Sequence, residues 1–223
     1  MKKIAVIFTS MGPLVNNFTK ILKAALPDVE LIRIADDSLI RDVKKIGSPN
    51  ENIIQRTLLH IEAVVKGGAE LVVIACSSVG EIAPLADQIF DVPVIRIDSA
   101  MMDKALEIGK RIGVIATLKT TITPTVGFLK NKAKKADKDP EIISCVAEGA
   151  YEALNNGDPD KHDQLVTDAA KELAKNTDVI ILAQGSMGRL GEPLNKLLDI
   201  PVLTSPDSCA EALKKMIYGG EKQ

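Results

Sequence analysis

A cysteine that follows a predicted buried strand is the residue of this chain best placed for chemistry. Leu71-Val72-Val73-Ile74-Ala75 predicts a strand that runs directly into Cys76-Ser77-Ser78-Val79-Gly80, where a helix is predicted to begin. Free backbone amides and the positive end of a helix dipole lower the pKa of a thiol and bind carboxylates, and serine hydroxyls add donors. The pattern predicts a reactive thiolate at Cys76, with Ser77 and Ser78 as substrate contacts. The alternative is a buried Cys76 that only fills space, which is the commonest fate of a free cysteine.

The remaining cysteines and histidines are weaker candidates for a site. Cys145 is predicted inside a strand and Cys209 in a final amphipathic helix, so both are interpreted as space-filling side chains. His60 lies in a helical pattern and His162 in a polar segment, and neither completes a triad or a metal-binding spacing. The chain contains no GxGxxG and no GxxxxGK[ST] motif, so nucleotide binding is not supported.

The elements that must position Cys76 form an alternating pattern of strands and helices. Short Val/Ile-rich runs bounded by turn residues alternate with longer helical segments, which is typical of a parallel sheet covered by helices. The segment 36–50 is polar and is predicted as a loop, and residues 52–65 are predicted as a helix that Gly67-Gly68 ends. The predicted strands are Ile4–Thr9, Glu30–Ile34, Leu71–Ala75, Val94–Ile97, Ile112–Thr117, Glu141–Cys145, Val179–Ala183 and Val202–Thr204.

An internal repeat organises these elements into two halves. Adding 108 to a position in the first half repeatedly gives a matching residue in the second, so that Val6 corresponds to Val114, Ser78 to Ser186 and Pro93 to Pro201. We therefore expect an α/β protein of two pseudosymmetric lobes, residues 1–97 plus 205–223 and residues 98–204. Strand carboxyl ends normally carry ligand sites in such folds, and a cleft shared by the lobes is the expected site.

Composition limits the partners of this 223-residue chain. Its 28 basic and 30 acidic residues nearly cancel, and aromatic residues make up 3%, which argues against nucleic acid as a partner. The apolar run after Lys2-Lys3 is too short for a signal peptide, and no stretch approaches the roughly 20 apolar residues that span a bilayer. Three widely separated cysteines fit reduced thiols. A cytoplasmic protein without nucleic-acid or membrane partners is expected.

The strand followed by Ala75-Cys76-Ser77-Ser78, the duplicated lobe, and Arg111-Ile112-Gly113-Val114-Ile115-Ala116-Thr117 at the start of the second lobe resemble the aspartate/glutamate racemase superfamily. The resemblance covers nearly the whole chain. It implies a two-lobed α/β enzyme that works without pyridoxal phosphate or metal, and therefore without a cofactor. It also implies a homodimer. Members include racemases of acidic amino acids and hydantoins, maleate isomerases and arylmalonate decarboxylases.

The resemblance also implies a site, from which this sequence departs. Racemases of the superfamily place one cysteine from each lobe on opposite faces of the substrate α-carbon, but the position equivalent to Cys76 is Gln184, followed by Gly185 and Ser186. An amide donates and accepts hydrogen bonds but does not titrate, so Gln184 could orient a carboxylate and could not exchange protons. The superfamily's acidic residue after the first strand is also missing. Hydroxyl groups stand after the first strand of each lobe, where they are either substrate contacts or helix caps: Thr9, Ser10, Thr117 and Thr121.

These observations predict proton transfer at a carbon next to a carboxylate, with Cys76 as the acid or base and a small carboxylate as the substrate. The reaction could be isomerisation, tautomerisation or racemisation with an unusual second acid. Decarboxylation of an arylmalonate is an alternative, since it also needs a single thiol. A protein that only binds a small carboxylate is an alternative of a different class.

Overall fold

The computed structural model describes residues 2–219 of the chain. Within them the chain divides into two compact units, which we call unit 1 (residues 2–97 with 210–219) and unit 2 (residues 98–209). Each unit contains a four-stranded parallel sheet with helices beside it. No helix of residues 2–219 has both the length and the apolar character needed to cross a membrane.

The sheet of unit 1 has the strand order β2-β1-β3-β4, and all its pairings are parallel. Its strands are β1 (Lys3–Phe8), β2 (Glu30–Ala35), β3 (Leu71–Ile74) and β4 (Val94–Arg96). The helices that begin in this unit are α1 (Pro13–Ala25), α2 (Asp37–Ile46), α3 (Glu51–Lys66) and α4 (Ala83–Ile89), with a 3-10 helix at Ser77–Ile82. The central strands β1 and β3 are almost completely buried because helices or loops cover both of their faces.

The sheet of unit 2 has the order β6-β5-β7-β8, which is the same topology. Its strands are β5 (Arg111–Ala116), β6 (Glu141–Val146), β7 (Val179–Leu182) and β8 (Val202–Thr204). The helices that begin here are α5 (Ser99–Ile108), α6 (Lys119–Lys135), α7 (Ala150–Asn155), α8 (Pro159–Ala174), α9 (Gly191–Leu197) and α10 (Ser205–Tyr218), with a second 3-10 helix at Gly185–Leu190. Helix α10 ends in unit 1.

The predicted duplication is confirmed, and its offset of 108 holds for most elements. Strands β1, β3 and β4, helices α3 and α4, and the first 3-10 helix each have a counterpart whose bounds are 108 residues later. Only the middle of the repeat differs. Strand β6 begins 111 residues after β2, because the connection before it is longer and the connection after it is shorter. All eight predicted strands are present, and their ends differ from the predicted ones by one residue or less.

The prediction of a loop over residues 36–50 is wrong, because this segment contains helix α2. Asp36 caps the helix by accepting a 3.0 Å hydrogen bond from the Ser38 backbone amide. Leu39 and Val43 lie four residues apart and are both buried, and Gly47 ends the helix with a φ of 93°. The prediction failed because the segment's many polar residues obscured a short apolar stripe between two capping residues. Helix α3 is confirmed, and Gly68 supplies the left-handed residue after it, with a φ of 89°.

Candidate functional site

Neighbouring strands of unit 1 bring Thr9 and Cys76 to the same edge of the sheet. Ile7 of β1 lies opposite Ile74 of β3, and the Ala75 amide donates to the Ile7 carbonyl at 2.9 Å. The chain therefore leaves both strands side by side, at their carboxyl ends, where parallel sheets bind ligands. Cys76, Ser77 and Ser78 are half-buried and Thr9 is buried. We call residues 76–78 the Cys76 turn.

The helix predicted after Cys76 is present, but it differs in type. Cys76 has an extended backbone, and the chain then forms the six-residue 3-10 helix, which continues into the seven-residue α4. Short helical pieces sum fewer peptide dipoles than one long α-helix, so the dipole contributes less here than the sequence predicted. The hydroxyls of Ser77 and Ser78 remain as donors beside the thiol.

The other two thiols are poorly suited to ionise. Burial raises the pKa of the Cys209 thiol to about 12, and the nearby charge of Asp98 adds to this effect. Burial also raises the pKa of Cys145, within strand β6. Both environments disfavour a thiolate, in agreement with the prediction that these residues fill space.

The equivalent turn of unit 2, residues 184–186, holds its glutamine in a defined orientation. We call it the Gln184 turn. The Thr117 backbone amide and the Thr117 hydroxyl both donate to Gln184 Oε1, at 2.5 and 2.9 Å. A backbone N–H can only donate, so the side-chain atom that faces Thr117 must be the oxygen. The NH₂ group of Gln184 consequently points away from Thr117 as a hydrogen-bond donor.

The two turns are also equivalent in exposure. Gln184, Gly185 and Ser186 are half-buried, like the three residues of the Cys76 turn, and Thr117 is buried like Thr9. Ser10 is half-buried next to Thr9, whereas Thr121 is buried in the first turn of α6. The structure thus groups Thr9, Ser10 and the Cys76 turn at the carboxyl edge of one sheet, and Thr117, Thr121 and the Gln184 turn at the carboxyl edge of the other.

Two arginines beside the turns were not identified from the sequence. Arg189 Nη1 donates to the Ser186 carbonyl at 2.8 Å, which ties it to the Gln184 turn. The buried Arg96 packs its guanidinium on Gly80 of the first 3-10 helix, so closely that an added Cβ there would lie 2.7 Å from Arg96 Nε. The only available sequence signal was their spacing from each turn. Side-chain direction decides whether such spacing produces a contact, and spacing alone does not reveal it.

The histidines take part in ionic clusters that the sequence did not predict. His60 Nε2 lies 2.9 Å from Asp36 Oδ2, in a cluster with Arg56, Ser38 and Asp42. His162 is completely buried in α8, although its surrounding sequence is polar. Within residues 2–219, no three His, Cys, Asp or Glu side chains lie close enough together to hold a metal ion.

A cavity of about 640 Å³ in unit 2 lies at the wrong end of the sheet for this chemistry. Lys110, Pro140 and Asp178 line it, and each directly precedes a strand. The cavity is therefore at the amino ends of β5, β6 and β7, whereas Thr117 and the Gln184 turn follow the carboxyl ends. We assign the candidate site to the turns.

Comparison with known protein families supports this choice of site. A model of the family described as Asp/Glu/Hydantoin racemase matches residues 14–213. No curated protein sequence gives a significant match.

Solved structures of racemases share the fold of the chain. An allantoin racemase from Klebsiella pneumoniae is 18% identical, with a TM-score of 0.71 over 99% of this chain and 89% of that one. A glutamate racemase from Francisella tularensis, solved with D-glutamate, is 22% identical, with a TM-score of 0.73 over 99% and 82%. An aspartate racemase from Picrophilus torridus is 15% identical, with a TM-score of 0.72 over 97% and 94%.

Proposed function

We propose that this chain, a racemase-type isomerase that belongs to the Asp/Glu/hydantoin racemase family, uses Cys76 to move a proton at the carbon next to a substrate carboxylate. One observation carries the proposal. Of the three thiols, Cys76 is the one that follows the carboxyl end of a central strand, half-exposed and beside hydroxyl groups. Cys145 lies within a strand and Cys209 is buried.

The proposed step is a reversible proton transfer. The Cys76 thiolate takes the α-proton, and the electron pair of the C–H bond moves onto the carboxylate to give an enediolate. The thiol then returns a proton, after exchange with solvent or without it. Thr9, Ser10, Ser77 and Ser78 supply hydroxyl donors that would stabilise the added charge, which is usually the largest contribution in such reactions.

Gln184 has a binding role in this proposal. Its carboxamide does not titrate, and its oxygen is engaged by Thr117, so its NH₂ group is left to donate to a substrate oxygen. The turn of unit 2 would thus orient the substrate, together with Gly185, Ser186, Thr117 and Thr121. A reaction that uses one thiol returns the proton with a stereochemical bias.

The test is deuterium incorporation from deuterated water, followed by NMR at the α-carbon. The panel contains L-aspartate, L-glutamate, lactate, phenylmalonate and allantoin, the last because one structural neighbour is an allantoin racemase. We expect the parent to deuterate at least one compound. Cys76→Ala should lower that rate by about 10³-fold, within the range for loss of a general acid or base, and Cys145→Ala should not. A Cys76→Ala variant with near-parental rates would exclude Cys76 as the proton carrier.

Decarboxylation is the second candidate, and the absence of a thiol at position 184 favours it. In this reaction the C–C bond of a malonate breaks with release of carbon dioxide, and the Cys76 thiol protonates the resulting enediolate on one face. Release of carbon dioxide from phenylmalonate by the parent, without α-deuteration of the amino acids, would select this reaction. If no panel compound reacts but one of them binds, the chain acts as a small-carboxylate binding protein.

A further inference from the structure

The Gln184 turn is anchored by an arginine that reaches it from the second 3-10 helix. Arg189 Nη1 donates to the Ser186 carbonyl at 2.8 Å. The same guanidinium holds Asp163 of α8 with two donors, Nη2 to Oδ1 at 2.5 Å and Nε to Oδ2 at 3.2 Å. One planar group therefore connects the turn to a helix packed against the sheet.

Asp163 is held from its other side by a buried histidine. His162 Nδ1 lies 2.7 Å from Asp163 Oδ1, and the ring is completely buried. A carboxylate only accepts hydrogen bonds, so Nδ1 carries the proton that joins these groups. Asp163 is thereby fixed between a core residue and Arg189, and it gives the guanidinium a fixed anchor.

The anchor is specific to unit 2. The counterparts of Asp163 and Arg189 in unit 1 are Gln55 and Glu81. An ionised glutamate cannot donate to a carbonyl, so Glu81 cannot hold the Cys76 turn in this way. The turn that carries the thiol and the turn that carries the glutamine are therefore supported differently, although their backbones correspond residue for residue.

The exposure of the ion pair argues against a role in stability. The side chains of Arg189 and Asp163 are 39% and 33% exposed. Ion pairs at this exposure contribute little to the free energy of unfolding. The bond to the Ser186 carbonyl, by contrast, restricts the peptide plane that follows Gly185, at the turn where Gln184 presents its NH₂ group.

We infer that Arg189 is a positioning residue, which fixes the Gln184 turn through Asp163 so that this turn binds substrate with little reorganisation. The inference rests on the proposed function, in which the turn orients the substrate. Loss of a preorganised contact that acts on binding raises KM and leaves kcat nearly unchanged.

The experiment compares the parent with Arg189→Gln, Arg189→Lys and a control, Arg111→Gln. The control removes a similar pair in the same unit, since Arg111 Nε and Nη2 both contact Asp178 Oδ1, at 3.0 and 2.6 Å. That pair lies at the amino end of β5, away from the turn. Two quantities are measured: hydrogen–deuterium exchange of the backbone amides of residues 184–188, and KM and kcat for α-deuteration of the panel compound that the parent deuterates.

We expect Arg189→Gln to speed amide exchange at residues 184–188 and to raise KM about tenfold, with kcat within roughly twofold of the parent. Arg189→Lys should behave similarly, because a single ammonium cannot bridge Asp163 and the Ser186 carbonyl as a planar guanidinium does. Arg111→Gln should change neither quantity.

Parental amide exchange in a folded Arg189→Gln variant would overturn the inference, and so would full recovery by Arg189→Lys, which would make the ion pair alone sufficient. A fall in kcat at constant KM would also overturn it. If Arg189→Gln speeds amide exchange but the parent deuterates no panel compound, the positioning of the turn is supported and the proposed function fails.

Discussion

Positions 76 and 184 occupy equivalent turns of the two units but carry side chains of different chemistry. Cys76 can exchange a proton, whereas Gln184 presents a neutral amide whose oxygen accepts two hydrogen bonds from Thr117. The same backbone therefore supports an acid–base group in one unit and a fixed hydrogen-bond donor in the other. Three residue-level features separate these roles: the titratable group, the Thr117 contact and the Arg189 bridge.

The order in which the three thiols react is a direct prediction from their environments. Because the thiolate is the reactive form, the raised pKa values of Cys145 and Cys209 leave almost none of it at neutral pH. A limiting amount of iodoacetamide at pH 7 should label Cys76 first, as read by peptide mass spectrometry. Cys209 should react in the folded protein only as the pH approaches about 12. Labelling of Cys209 ahead of Cys76 at pH 7 would contradict this assignment.

A second thiol at position 184 should change the stereochemistry of the reaction. If the two turns act on opposite faces of one carbon, as proposed for the racemases that the chain resembles, Gln184→Cys adds a proton carrier on the second face. The variant should lose the product bias of the parent on a compound that the parent already deuterates, as measured by chiral chromatography.

Gln184→Ser provides the control for this exchange, because it removes the amide without adding a thiol. It should weaken activity and keep the bias. An unchanged bias in Gln184→Cys, with the new thiol shown to react with iodoacetamide, would mean that the two turns are not catalytically equivalent.

At the scale of elements, an ionic cluster fastens helix α2 to helix α3. Asp36, which caps α2, contacts Arg56 and His60 of α3 at 3.0 and 2.9 Å, and Arg56 also contacts Asp42 of α2 at 2.8 Å. Burial acts to raise the pKa of Asp36, but hydrogen bonds from Ser38, His60 and Arg56 outweigh it and hold the pKa well below its usual range. The ionised carboxylate is thus the form that joins the helices.

This lowered pKa makes a prediction about acid stability. A group whose pKa is lower in the folded state stabilises the protein above its unfolded pKa, about 3.9 for aspartate, and loses that contribution as the pH falls through the folded value. Asp36→Asn should therefore lower Tm at pH 7, and the difference from the parent should shrink below about pH 4. Thermal unfolding from pH 7 to pH 2 measures it. The exposed Asp28→Asn is the control, and a difference for Asp36→Asn that does not change with pH would exclude the carboxylate as its cause.

The 3-10 helix after Cys76 depends on a glycine at one position. A methyl group at Gly80 would lie 2.7 Å from Nε of the buried Arg96, so Gly80→Ala must displace that guanidinium. We expect it to lower the free energy of unfolding by about 1–3 kcal/mol, as overpacking does. Gly127→Ala is the matched control, because nothing lies within 4 Å of the added methyl group and Gly127 is inside α6. This change should raise stability by about 0.5–1 kcal/mol. Urea unfolding of the two variants measures the contrast, which fails if both shift alike.

For the whole molecule, the duplicated architecture and the family match agree. Two parallel sheets of the same topology repeat at an offset of 108, and a racemase family model matches residues 14–213. The chain is therefore a racemase-type isomerase with one turn of each kind. Its substrate and the fate of the proton at the second face belong to the proposal.

We further propose that the chain forms a homodimer, which the superfamily resemblance implies. Leu85 and Ile89 of α4 are 43% and 54% exposed and lie four residues apart, on one face of the helix, where a second copy could cover them. Size-exclusion chromatography with light scattering should give twice the monomer mass of 23.9 kDa. Ile89→Lys should shift it toward the monomer, and a monomeric parent would refute the proposal.

The sequence by itself determined the features that depend on local pattern. Runs such as Leu71–Ile74 are buried on both faces and read as strands, the 108-residue offset is visible in the residues themselves, and the place of Cys76 after a strand follows from these two facts. Tertiary structure decided the features that depend on which distant side chains meet. The contact of Thr117 with Gln184 spans 67 residues and that of Arg189 with Asp163 spans 26. Spacing along the chain does not specify side-chain direction, so such contacts exist only once the sheets have brought their strand ends together.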